Sequence, residues 1–109
     1  MRSERAHAID AQLRALADPT RREVLHLVAQ REVSATEVAR RFELTRSAVS
    51  QHLRILLDAG LLSVREEGTR RFYSTDRETL RALFARLDDY WSLGLVRLQR
   101  AAERKRTRR

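Results

Sequence analysis

The sequence has no cysteine, one proline and three glycines among its 109 residues. Without cysteine there is no disulfide framework and no thiolate metal site. No apolar run approaches the ~20 residues that span a bilayer, and the first twelve residues lack the apolar stretch of a secretory leader. A soluble, cytoplasmic chain without membrane contact is therefore expected. Catalytic patterns are missing too: no thiol nucleophile, no glycine-rich phosphate loop and no H-E-x-x-H run. Asp88 and Asp89 are neighbours, so on a helix they point about 100° apart and cannot converge as a pair. The expectation is a non-enzyme with no cofactor.

Positive charge is plentiful. The net charge is +8, and the last ten residues, RAAERKRTRR, hold six bases and one acid. The tail thus carries +5 and the other 99 residues share +3. An anionic partner is implied, mainly through that tail. The length suits a single domain, with a core over about 9–75, a long helix over about 76–102 and a basic tail at 103–109.

The residues 45–60, TRSAVSQHLRILLDAG, organise the rest. Thr45 is a good N-cap, and Gly60 can take the left-handed conformation that closes a helix. Val49, Leu53, Leu56 and Leu57 recur at i, i+4, i+7 and i+8, which makes an apolar stripe. Arg46, Ser47, Ser50, Gln51 and Arg54 share the other side. Hydroxyls, an amide and guanidiniums can approach base edges closely; Gln pairs bidentately with adenine and Arg with guanine. A solvated amphipathic helix is the plain alternative for this stretch taken alone.

Its surroundings favour the first reading. Ile9, Leu13 and Leu16 mark a first amphipathic helix. Asp18-Pro19 opens a second, in which Val24, Leu25, Leu27 and Val28 predict burial on two sides. Ser34 to Glu37 forms an S-x-x-E capping box for a short helix ending near Phe42. Two short helices joined by a tight turn, the second with a polar outer face, form the helix-turn-helix pattern. After Gly60 the period drops to two, and Leu62 to Ser74 reads as a β-hairpin with Gly68 at its tip. This hairpin is a wing, and Arg65, Arg70 and Arg71 suit the phosphate backbone or an adjacent minor groove. Charged edge strands that merely resist aggregation are the alternative.

Thr75 to Glu78 is a second capping box, opening the last helix. There Leu80, Leu83, Phe84, Leu87, Trp91, Leu95 and Leu98 exceed what one side of so small a domain can cover. A symmetric partner helix would bury the remainder, and Gly94 marks a close approach or a slight kink. His52, at the edge of the polar face, is assigned to phosphate, with a packing histidine that hydrogen-bonds its own turn as the alternative. Arg21 and Arg22 either meet DNA or pair with acids such as Asp18 and Glu23, with pairing preferred.

The runs Leu16 to Arg22 (LADPTRR), Ser47 to Leu56 (SAVSQHLRIL), Ala59 to Leu62 (AGLL) and the Gly68 to Tyr73 wing resemble those of the ArsR-type winged-helix transcriptional regulators. The resemblance spans nearly the whole chain. It implies a mainly α fold, five helices plus a two-stranded wing. It also implies a homodimer built from the first and last helices, which adds Ile9 and Leu13 to the dimer surface. Such a dimer binds a palindromic double-stranded operator and usually represses. Thr45, Arg46, Ser47, Ser50, Gln51, His52 and Arg54 are the expected recognition-helix contacts. Metal-sensing members carry Cys-x-Cys at the start of the third helix or acid and histidine pairs on the last. Here the first run aligns with Ser34-Ala35-Thr36, and the last helix offers Asp88 and Asp89 without histidine, so the non-metal branch is implied. A small-molecule or protein effector stays open. The rival functions are a non-specific architectural DNA binder acting through the basic tail, and a protein-interaction module.

Overall fold

The computed structural model describes the backbone of residues 2–107 and the side chains of residues 8–94 and 97–105. In chain order the elements are α1 (Arg2–Ala17), α2 (Pro19–Gln30), β1 (Val33–Ser34), α3 (Ala35–Phe42), α4 (Arg46–Asp58), β2 (Leu62–Glu67), β3 (Arg70–Thr75) and α5 (Arg77–Thr107). Local chemistry sets most of the boundaries. Asp18 caps α2 by accepting from the Arg21 backbone N–H at 3.0 Å, with Pro19 at the first helical position. The Thr45 hydroxyl accepts from the Ala48 N–H at 3.1 Å and starts α4. That helix ends in a Schellman turn. The Leu61 N–H donates to the Leu56 carbonyl at 3.0 Å and the Gly60 N–H to that of Leu57 at 2.9 Å, with Gly60 at φ 77°.

Val24, Leu25, Leu27 and Val28 are all buried, which makes α2 the helix at the centre of the domain. Val33, Val38, Val49, Leu53, Leu56, Leu61 and Tyr73 pack around it. Deep burial of the apolar side of α4 leaves its polar side facing outward. The three-residue turn from α3 to α4 is closed by Glu43, whose φ of 54° is the one positive value outside glycine among the described residues. A side chain costs about 1–2 kcal/mol in that conformation. Glu43→Gly is therefore expected to raise thermal stability by roughly 0.5–1 kcal/mol after glycine's extra unfolded-state entropy, and Glu43→Val to lower it. A lower melting temperature for Glu43→Gly would contradict this.

The structure departs from the sequence expectations in four places. The sheet has three strands in the order β1-β3-β2, all antiparallel, because Val33 pairs with Tyr73 and Ser34 with Phe72. A two-residue strand is too short to show a period. The capping box at Ser34 is half formed: Ser34 accepts from the Glu37 N–H, but the Glu37 carboxylate pairs with Arg31. At the start of α5 the cap moves one residue along, with Asp76 accepting from the Thr79 N–H at 3.0 Å. The Thr75 hydroxyl instead donates to the Leu25 carbonyl at 2.9 Å inside the core, satisfying a buried oxygen. Finally, α5 runs to Thr107, so most of the expected basic tail is helix. Ala101, Ala102, Glu103 and the neighbouring cations are strong helix formers, and cations suit a helix C-terminus. At ~46 Å, α5 accounts for much of the molecule's longest dimension of 69 Å.

Candidate nucleic-acid interface

Thr45, Arg46, Ser47, Ser50, Gln51 and Arg54 are all exposed along the outer side of α4. Apart from the Thr45 cap, none of these side chains has a hydrogen-bond or ionic partner among the described residues. Among the described residues neither Arg46 nor Arg54 forms an ion pair. A row of unspent donors and acceptors on a rigid helix, held from behind by Val49, Leu53 and Leu56, can be presented to a groove at little ordering cost.

Beside α4 lie two adjoining depressions of about 430 and 410 Å³, between the start of α3, the outer side of α4 and the wing. Thr36, Arg40, Ser50, Arg54, Arg70 and Arg71 line them, against the acids Glu37 and Asp58. Glu37 is already neutralised by Arg31, which holds its carboxyl below the usual range. The lining that remains is net positive and suits an anionic backbone. In the sequence, Arg40 on α3 is indistinguishable from any solvated helix cation.

The wing arginines are unequal. Arg65 donates from Nε and Nη2 to both carboxylate oxygens of Glu32 at 3.1–3.3 Å and from Nη1 to Glu67 at 2.9 Å. It also lies 4.9 Å over the Phe72 ring. These two carboxylates raise its pKa further, so its charge is spent within the protein. Arg71 is paired with Glu66 at 3.3 Å. Arg70 pairs with Glu67 through the strand backbone beside the Gly68-Thr69 turn, and its side chain forms no ion pair among the described residues.

His52 is half-buried at the edge of α4, 3.5 Å through Nδ1 from a guanidinium nitrogen of Arg21. Among the described residues, Arg21 and Arg22 form no side-chain ion pair with Asp18 or Glu23. They donate to the last carbonyls of α1: Arg21 to Ala15 at 2.7 Å and to Arg14 at 3.0 Å, Arg22 to Leu16 at 2.8 Å and Ala17 at 3.2 Å. Those carbonyls have no partner inside their own helix, so the two arginines complete its C-terminus. The Arg21 backbone N–H and, less strongly, the Arg21 guanidinium hold the Asp18 carboxyl below the usual range.

A second surface runs along α5. Phe84 is 53% exposed, Trp91 67% and Leu98 65%, at intervals of seven residues, with Leu87 half-buried between the first two. Tyr90 and Leu93 are exposed beside them. Leu83 must be reassigned. It is 1% exposed within the single chain and belongs to the core, and Leu80 also packs against that core. A helix of this kind divides its apolar residues between inside and outside, a division that spacing alone does not locate. On α1, Ile9 is half-buried and Leu13 exposed. Leu95 lies outside the described residues.

Compared with known sequences, residues 18–64, from the cap of α2 into β2, match the family described as "Bacterial regulatory protein, arsR family". The HTH-type transcriptional regulator Rv2034 of Mycobacterium tuberculosis is 42% identical over 87 residues, 80% of this chain and 81% of that protein. This chain belongs to the ArsR family. The arsenical resistance operon repressor of Bacillus subtilis is 33% identical over 85 residues, covering 77% of this chain and 81% of that protein. A solution structure of the homodimeric winged helix-turn-helix DNA-binding domain of a Mycobacterium bovis protein superimposes with a TM-score of 0.68. It is 25% identical and covers 81% of this chain and 82% of that one. The fold described above is accordingly the winged helix-turn-helix, and this ArsR-family protein is a DNA-binding transcriptional regulator. Among the described residues no cluster of three or more His, Asp or Glu could hold a metal ion, and no helix is long and apolar enough to cross a membrane.

Proposed function

We propose that this regulator binds a palindromic operator in the cytoplasm as a homodimer and represses by occupying the promoter. The observation that carries the proposal is the outer side of α4, exposed and without internal partners over Arg46, Ser47, Ser50, Gln51 and Arg54. In this reading α4 enters the major groove, His52 and the wing hold the backbone, and the face of α5 that includes Phe84, Leu87, Trp91 and Leu98 pairs with a second copy. Ile9 and Leu13 of α1 extend that face. Gly94 falls between Trp91 and Leu98 on the same side, where a glycine lets two helices approach closely. A signal that favours the DNA-free shape would release the operator.

Selection from a random duplex pool tests this. The expected product is an inverted repeat whose half-sites lie about one DNA turn apart, ~34 Å. Enrichment of no sequence, or of single half-sites only, would contradict it. The wing supplies a sharper expectation. Arg70→Ala should weaken binding to any duplex and flatten the log affinity against log salt slope by about one unit, whereas Arg65→Ala should leave that slope nearly unchanged. Equal slopes for Arg70→Ala and the wild type would remove Arg70 from the phosphates.

The basic end of α5 favours a second reading, a non-specific architectural protein, because +5 of the net +8 lies in residues 100–109. Removing those residues separates the two. A sequence-reading regulator keeps most of its preference for the selected duplex, whereas an architectural protein loses nearly all affinity.

A further inference from the structure

Arg21 makes contact with three separate parts of the chain. Its Nε and one terminal nitrogen hold the Ala15 and Arg14 carbonyls at the end of α1, its other terminal nitrogen meets Nδ1 of His52 on α4, and its backbone N–H is taken by Asp18. A guanidinium can only donate. His52 Nδ1 is therefore the acceptor, and the imidazole proton sits on Nε2. Arg21 thus joins α1 to α4 from α2, and a direct link lies at the far end of α4, where Gln12 Nε2 donates to the Ala59 carbonyl at 3.4 Å. One helix of the proposed dimer surface is thus tied to the reading helix at two points. The tie at the N-terminal half of α4 passes through Arg21, which lies on neither α5 nor the exposed row of α4.

We propose that Arg21 is a positioning residue, which locks the direction of α4 to α1 through His52 and so sets the half-site spacing that the dimer accepts. This rests on the reading of α4 as the groove-entering helix of a dimer. A lysine keeps the charge but cannot span three acceptors from one rigid fork, so Arg21→Lys loosens the lock without removing a cation. His52→Phe removes the acceptor at the other end. His52→Asn keeps a polar group near the Nδ1 position while losing the Nε2–H.

The test uses the full chain and the inverted-repeat duplex that the wild type selects, in its original form and with two base pairs added to the spacer. Binding is measured by fluorescence anisotropy at a temperature where circular dichroism shows each variant folded. The wild type should discriminate against the longer spacer by roughly tenfold or more, because both half-sites can no longer be reached together. Arg21→Lys and His52→Phe should each cut that ratio several-fold, and the double variant should cut it no further than either single one. His52→Asn should keep the ratio while weakening affinity on both duplexes. Unchanged discrimination in Arg21→Lys, or losses that multiply in the double variant, would overturn the proposal. Imidazole nitrogen NMR of the free protein provides an arm without DNA: Nε2 should carry the proton, and a proton on Nδ1 would overturn the lock directly. A wild type that selects no inverted repeat would instead defeat the operator reading, and this inference with it.

Discussion

Trp91→Glu combined with Leu98→Glu is expected to leave this ArsR-family regulator folded but monomeric at ~10 μM, with affinity for its selected duplex reduced by about two to four orders of magnitude. Both side chains are about two-thirds exposed on the isolated chain, seven residues apart on one side of α5. Both lie beyond Leu83, the last buried apolar residue among those described, so the substitutions should not unfold the domain. Burying each large apolar side chain against a partner would contribute about 1.5–3 kcal/mol, and a carboxylate there would have to be desolvated without a counter-charge. Affinity falls further than the contact area suggests, because the two half-sites would then be bound by independent molecules. Sedimentation equilibrium and anisotropy titration check the two parts. A double variant that still sediments as a dimer would place the interface elsewhere.

Leu56→Ala is the second large effect. Leu56 is fully buried behind α4 and its carbonyl receives the Leu61 N–H in the turn that ends the helix. Removing its side chain should leave a cavity and cost about 3–5 kcal/mol, a large share of the 5–15 kcal/mol typical of a domain this size. At fixed protomer concentration the melting temperature should drop by roughly 10–25 °C, and duplex affinity should weaken as α4 loses its backing. A loss below about 1 kcal/mol in chemical denaturation would show that the core closes over the gap and that α4 is held mainly by other contacts.

The features legible in the sequence were those whose physics is local. Asp18, Thr45 and Gly60 mark helix ends because each acts on backbone groups within a few residues. The polar side of α4 was legible for the same reason, since one helix period separates it from Val49, Leu53 and Leu56. What stayed hidden depends on groups far apart in the chain. Arg65 finds Glu32 across 33 positions and Thr75 finds the Leu25 carbonyl across 50, so neither pairing leaves a pattern in its own neighbourhood. The same holds for Arg21, whose guanidinium serves the end of the preceding helix and reaches His52 31 residues later. Leu83 and Phe84 are adjacent and both apolar, yet one is buried and the other exposed, a distinction that tertiary packing decides. The reach of α5 was underestimated because apolar periodicity ends at Leu98, whereas helix propensity carries on through alanine, glutamate and arginine to Thr107.

The exposed row on α4 is proposed to read base edges, and Gln51→Ala probes that role at one side chain. Gln51 is exposed and bonded to nothing else among the described residues, so truncating it should not disturb the fold. Anisotropy titrations on the selected duplex and on a random duplex of equal length should show a loss of roughly 1–3 kcal/mol on the first and almost none on the second. Equal losses on the two duplexes would contradict the account.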